Sequence, residues 1–548
     1  MTFIKLYEKS FRENFELLAL SDYGTDVNYT YGALAAEIAK LHILFSKYNL
    51  REGDKISLVG KNTSSWAIVH FASFTYGAVV VPILQDFSAK DISHIIEHSD
   101  SVLLFSSDAL WEKLDKSKLS KVKAAFSLND FSLLYQMDRV RFVYSQSVIE
   151  TLFKEKYPNG FAPEHIIYSD SSDDNLIALN YSSGTTGFSK GVMISGNNLS
   201  GNMGFAGRTF TIKPKDRTLS FLPLAHTYGA AFDYLYALSV GVHVTLLGKT
   251  PAPKILIKAF DDVKPRMIIS VPIIFEKIHK NMILPIISKS IIKLALRIPF
   301  IDQLIYGKIR NRLLKAMGGE FIQVIIGGSA FSKEAEDFLS IIKFPFSVGY
   351  GMTECAPLIS FSVTEKFVSH SCGKILDNMQ VRIDSENPYE TVGEIQVKGQ
   401  NVMLGYYKNK EATKAVFTDD GWLKTGDLGT IDKDDNIFIR GRLKTMILGS
   451  SGQNIYTEEI ESKLNNLPYV LESLLIEKDR KLVALVYPDY EAAEKAGISK
   501  EGLQKIMKQN RETLNKNVAS YEKVAEIQLR SDEFEKTPKK SIKRYLYV

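Results

Sequence analysis

Cysteine is scarce: the 548-residue chain has two, Cys355 and Cys372, and no CxxC or HExxH pattern. A disulfide framework and a closed zinc site are thereby excluded, both thiols read as core or incidental residues, and a reducing, cytoplasmic setting is expected. Long apolar runs are also missing. The most apolar stretch, 283–301, is broken by Lys289, Lys293, Arg297 and two prolines, short of the roughly 20 uninterrupted residues that span a bilayer. Near the N-terminus, Lys5, Glu8, Lys9, Arg12 and Glu13 interrupt any apolar core of a secretory signal. Neither charge dominates: 68 Lys and Arg against 63 Asp and Glu leave +5, too weak a field over this length to argue for nucleic acid. No internal repeat or low-complexity tract is present.

What the sequence does have is alternation. Short β-branched or aromatic runs occur at 55–59, 78–83, 102–105, 176–181, 267–271 and 323–326, with helical patterns between many of them. In 31–47, Leu34, Ile38, Leu41 and Phe45 recur three or four apart, the spacing of an amphipathic helix. The pattern predicts an α/β fold with largely parallel sheets. After the turn-rich 432–436 the character changes. A charged helix at 457–464, strands at 473–476 and 482–486, a helix at 500–515 and a basic tail predict a small α+β unit, so the division expected is 1–441 and 442–548.

The densest chemistry lies in LIALNYSSGTTGFSKGVMIS, 176–195. Within 182–191 stand three glycines, five hydroxyls and a lysine. Glycines let backbone amides approach oxygens, hydroxyls donate and Lys190 adds a point charge, so the loop suits phosphate. Ser189 and Gly191 flank Lys190 where a Walker A loop needs Gly and Ser or Thr, which excludes a P-loop NTPase.

This loop resembles the phosphate-loop signature of the acyl-adenylate-forming (AMP-binding) superfamily. In the family's order it is joined by GGSAFS (327–332), YGMTE (350–354), TGD (425–427) and GRLKTMILGSSGQNIYTEEIE (441–461), while YTYGALAAEIAKLH resembles the opening helix. The resemblance implies a large N-terminal domain of layered α/β subdomains and a small mobile C-terminal lid. It implies that ATP lies on Ser182, Ser183, Gly184, Thr185, Thr186, Gly187 and Lys190, with adenine on Gly328, Ser329 and Ala330. Tyr350, Gly351, Met352 and Thr353 would complete the nucleotide site, Glu354 would hold Mg²⁺, and Asp427 and Arg442 would take the ribose. Lys444 matches the hinge, and Gly449, Gly452 and Asn454 would line a tunnel for the thiol arm of coenzyme A. His226, in PLAHTYG, would be a wall or gate of the acyl pocket; it is not assigned as a base.

The implied reaction activates a carboxylate as acyl-AMP and transfers it to coenzyme A, with Thr353, Lys190 and a C-terminal lysine as catalytic groups. There the sequence departs from the family, because alignment on 542–544 puts Ser541 where that lysine belongs. Lys540 is the first candidate for the role, with Lys539 and Lys543 as alternatives.

The segment between Phe275 and Gly318 resembles the insertion of long-chain fatty acid:CoA ligases, making a long-chain fatty acid the expected substrate. From 277 to 315 it holds nine Lys or Arg against Asp302 alone. Lys289, Lys293 and Arg297 fall on one helical stripe and Ile287, Ile291, Leu294 and Ile298 on another, predicting a basic amphipathic helix. Such a helix either lies on the inner face of an anionic membrane or packs as a solvated helix on its own domain. An acyl carrier protein as acceptor, and a degenerate acyl- or nucleotide-binding protein, are the competing functions.

Overall fold

The structure is a computed structural model that describes residues 2–182, 190–448, 453–537 and 541–547. Two large sheets carry the N-terminal part. One has eight strands, in the order Gly405–Tyr406, Lys190–Ser195, Leu176–Ser182, Val79–Ile83, Lys55–Val59, Ser101–Ser106, Ala124–Ser127 and Leu133–Gln136. The other has seven: Phe346–Val348, Gln323–Ile326, Met267–Ser270, Arg217–Ser220, His243–Leu246, Leu18–Asp22 and Asn28–Thr30. Parallel pairing dominates both, with antiparallel partners at the edges. The expected α/β class is borne out, and the runs at 55–59 and 323–326 are strands with those bounds.

The helix Ser64–Tyr76 explains how the sheets are joined. It contacts strands of both, and Trp66, Ile68, Val69, Phe71 and Phe74 on different sides of it are all buried. A helix apolar all round is stable only when covered on every side. Helix Tyr31–Lys47 packs beside it, started by the Thr30 hydroxyl accepting from the Ala33 amide. A four-stranded antiparallel sheet, Met379–Asp384, Gly393–Gly399, Leu423–Ile431 and Ile437–Arg442, follows.

The smaller C-terminal part has a three-stranded sheet, Val470–Lys478, Lys481–Pro488 and Val524–Leu529, with helices Thr457–Asn465 and Lys500–Lys516. Its apolar side chains, among them Ile460, Leu464, Leu475, Leu503, Met507 and Val524, form their own cluster. Polar contacts link it to the rest: Lys280 Nζ donates to the Asn465 carbonyl (2.7 Å), and Asn466 Nδ2 to Ser332 Oγ (3.1 Å) and Glu334 Oε2 (2.7 Å).

One expectation is corrected. The basic stripe of 287–298 is not one helix, because Leu284–Ile287 stops, Lys289 is extended at ψ 132°, and a separate short helix runs Ser290–Ala295. Ser288 and Ser290 flank the break, residues that favour helix ends over interiors, and Pro299 disfavours helical backbone at Ile298. Lys289 therefore leaves the stripe.

Candidate nucleotide and acyl site

The strands Leu176–Ser182 and Lys190–Ser195 form an antiparallel hairpin with Ser182 opposite Lys190. The residues joining them, 183–189, lie outside the described residues, and with them the predicted Ser183, Gly184, Thr185, Thr186 and Gly187. So do Gly449, Gly452, Lys539 and Lys540.

Beyond the hairpin, Gly405–Tyr406 pairs with Val192 and Met193, reinforced by the Tyr407 amide on the Gly191 carbonyl (2.8 Å). Tyr406 is thereby placed beside the start of strand Lys190–Ser195. Lys190 Nζ sits 4.8 Å from its ring centroid, and its hydroxyl donates to Glu354 Oε1 at 2.9 Å. Lys190 and Glu354, 164 positions apart in the chain, thus meet on one tyrosine. Burial, with Glu354 next in effect, pushes the Tyr406 phenol far above its ordinary range, so it stays a donor. Asn202, fully buried, helps fix this geometry: Oδ1 accepts from the Leu358 amide (3.0 Å), and Nδ2 donates to the Asn198 carbonyl (3.0 Å) and the Cys355 carbonyl (3.4 Å). Sequence reading missed Tyr406 and Asn202.

In 350–354, Tyr350–Gly351 forms a short strand with Leu358–Ser360. The return is so tight that a Cβ at Gly351 would lie 2.1 Å from the Pro357 carbonyl oxygen, which only glycine tolerates. Met352 donates its amide to that carbonyl at 2.9 Å, and the 3₁₀ turn Thr353–Cys355 buries Thr353 and leaves Glu354 half-buried. Tyr350 reaches the other way, donating to Asp427 Oδ2 at 2.8 Å. Asp427 stands opposite Arg442 across two antiparallel strands, and Arg442 Nε donates to its Oδ1 at 3.1 Å. Burial pushes the Tyr350 phenol well up, with Asp427 adding to the effect. Tyr350, Asp427 and Arg442 are one bonded set.

Gly328, Ser329 and Ala330 follow strand Gln323–Ile326 and are exposed. Below them Tyr228 donates to the carbonyls of Ser270 (2.9 Å) and Ile325 (3.1 Å), tying two strand ends together. His226 is half-buried and caps the helix Thr227–Ala230, its Nδ1 accepting from the Tyr228 amide at 3.3 Å. Next to it Thr227, Ala230, Ala231, Asn180 and Ala356 help line an apolar cavity of about 30 Å³, room for a couple of waters.

The remaining predicted residues are peripheral. Lys444 stands in an exposed turn after strand Ile437–Arg442, and Ser541 is exposed. Cys355 is a core thiol and Cys372 a half-buried one packed against the core; burial pushes Cys355 well up and Cys372 to about 12, leaving neither as a ready thiolate. No group of three or more His, Cys, Asp or Glu side chains that could hold a metal occurs among the described residues.

Comparison with known proteins agrees with this architecture. The sequence pattern described as AMP-binding enzyme matches residues 7–407. A long-chain-fatty-acid–CoA ligase of Rattus norvegicus is 24% identical over 471 residues, covering 80% of this chain and 69% of its own. The anthranilate CoA ligase AuaEII with anthranoyl-AMP superposes with a TM-score of 0.78 at 17% identity, covering 100% of this chain and 96% of its own. The o-succinylbenzoate CoA synthetase MenE of Bacillus subtilis, with ATP and magnesium, gives 0.72 at 21%, covering 98% of each chain. At these identities the solved structures bear on fold alone.

Proposed function

We propose that the chain, which belongs to the AMP-binding enzyme family, is an acid–thiol ligase that adenylates a carboxylic acid with ATP and passes the acyl group to coenzyme A. The carboxylate attacks the α-phosphorus and pyrophosphate leaves; the thiol then attacks the acyl carbon and AMP leaves. The observation that carries this is the meeting of Lys190 and Glu354 on Tyr406 beside the phosphate hairpin. It supplies a cation and a carboxylate at one point, the pairing that Mg·pyrophosphate needs.

In this reading Ser182, Lys190, Thr353 and the loop hydroxyls bind the departing phosphates. Tyr350 and the 328–330 backbone flank adenine, while Asp427 accepts from the ribose hydroxyls and is held for that task by Tyr350 and Arg442. One half-buried carboxylate fits Mg²⁺, which takes few protein oxygens and prefers phosphate partners; Glu354 would hold it, and when bound it would offset charge on the pyrophosphate. Lys540 would supply the cation missing at Ser541, and Lys444 would be the pivot of the lid.

A long-chain fatty acid is the substrate we favour. Support comes from the fatty-acid ligase among the relatives and from the 277–315 surface. Ile291 (82%), Leu294 (64%), Phe300 (76%) and Leu304 (66%) are exposed there among the basic residues. That combination suits an anionic bilayer in which such an acid is dissolved; no described helix is long and apolar enough to cross it. Purified protein should co-sediment with phosphatidylcholine vesicles only when they carry phosphatidylglycerol. Ile291→Ser/Leu294→Ser/Phe300→Ser should lower that binding at least tenfold, and unchanged binding would remove the surface from the account.

The defining test supplies Mg·ATP, coenzyme A and acids from acetate to stearate. Thioester and pyrophosphate together, from the longer acids, are expected. Pyrophosphate without a coenzyme A thioester would indicate a carrier-protein acceptor; folded protein releasing neither would indicate a binding protein that has lost the catalytic cation.

A further inference from the structure

We propose that Tyr406 is a positioning residue that couples the two charged groups of the phosphate site, orienting the Glu354 carboxylate for a divalent cation and holding Lys190 within reach of phosphate. The proposal rests on the ligase reading above.

The backbone fixes the tyrosine first. Gly405 precedes it at φ +134°, and a Cβ there would lie 2.8 Å from the Thr413 side chain, so the turn into the strand requires glycine. The Tyr406 amide donates to Thr413 Oγ1 at 2.9 Å, and residues 405–406 pair with Val192 and Met193. Only 7% of Tyr406 is exposed, so its ring has little freedom to turn.

Two contacts leave that ring in different chemical senses. The hydroxyl donates to Glu354 Oε1 at 2.9 Å, and the π face carries Lys190 Nζ at 4.8 Å. With Oε1 committed as acceptor, carboxylate rotation is restrained and Oε2 becomes the oxygen presented to a cation. Donation to a carboxylate also enriches the ring in electron density, which strengthens its attraction for the ammonium. The residue thus keeps a cation and an anion side by side without letting them close into a direct ion pair that substrate would have to break.

Tyr406→Phe and Tyr406→Leu separate the two contacts, since phenylalanine keeps the ring and loses the hydroxyl while leucine loses both. Two quantities are read for each: the Mg²⁺ dependence of pyrophosphate release, and ATP binding by calorimetry with Mg²⁺ or with EDTA. Tyr406→Phe should raise the half-saturating Mg²⁺ concentration on the order of tenfold, with the rate at saturating Mg²⁺ kept within a few-fold and binding in EDTA unchanged. Tyr406→Leu should add a several-fold loss of ATP binding in EDTA. In a Glu354→Gln background Tyr406→Phe should cost nothing further in Mg²⁺ dependence. A Mg²⁺-dependent wild type with an unchanged Tyr406→Phe variant overturns the proposal alone, as does an equal loss in the Glu354→Gln background. A wild type whose ATP binding ignores Mg²⁺ overturns the ligase reading and this proposal with it.

Discussion

Lys190→Ala protein should release pyrophosphate on the order of 10²–10³ times more slowly than wild type, while thioester formation from supplied acyl-adenylate should continue. The magnitude is that of removing one preorganised charge from a site where charge develops. Adenylation must stabilise a departing pyrophosphate, whereas the second step expels AMP and places no new charge at the Lys190 end. Lys190 is half-buried at the start of its strand, its ammonium over a ring, so truncation opens no core cavity and the melting temperature should hold within a few degrees. Glu354→Ala should behave alike, with its deficit concentrated at low Mg²⁺. Normal pyrophosphate release by both variants would dissolve the site assignment.

Acid should unfold this protein through two histidines. His70 is stacked on Trp66 at 5.0 Å, with its Nδ1 buried and unpartnered, and burial lowers its pKa to about 3. His42 Nε2 lies 3.1 Å from both the Ala72 carbonyl and Thr75 Oγ1, and burial lowers its pKa to about 4. Both stay neutral in the folded chain, whereas an unfolded histidine takes a proton near pH 6.5. Below that pH the unfolded state binds protons the native state refuses, so stability is intact above pH 6.5 and is lost as pH falls towards 4. Each pH unit costs about 1.4 kcal/mol per histidine, or about 4 kcal/mol for the pair by pH 5, a large share of the 5–15 kcal/mol typical of a domain. Denaturant titrations at pH 7.5 and 5.0 measure this directly. His70→Gln and His42→Gln should each recover about 2 kcal/mol of the difference; a wild-type pH dependence in both would refute the assignment.

Local patterns read true where one segment carried its own information. Helix 31–47 has its apolar residues at helical spacing and its cap at Thr30, and 323–326 is a short β-branched run; both appear with the expected bounds. The smaller sheet was anticipated in two of its strands, while Val524–Leu529 was not, because EIQL there alternates charge and apolarity too weakly to stand out. The 287–298 stripe misled since spacing alone carries no notice of Ser288, which ends the helix before Lys289 can join it. At the site, motif residues were legible one at a time and their partnerships were not. Tyr406 meets Glu354 because the chain returns 52 residues later, and Asn202 reaches the Leu358 amide across 156; no short window contains either pair.

The C-terminal tail is moored by an ion pair between half-buried Arg544 and buried Glu461. Arg544 donates to both carboxylate oxygens of Glu461, with Nη1–Oε1 at 2.9 Å, and the Leu475 amide donates to Oε1 at 2.6 Å. Glu461 belongs to helix Thr457–Asn465, so the mooring point is part of the small sheet's own packing. Lys540 lies four positions upstream of Arg544, and four residues of chain extend at most about 14 Å. If Lys540 has the role proposed for it, that limit ties its reach to the position of helix Thr457–Asn465, and lengthening the chain between 540 and 544 would relax the tie without touching any substrate contact.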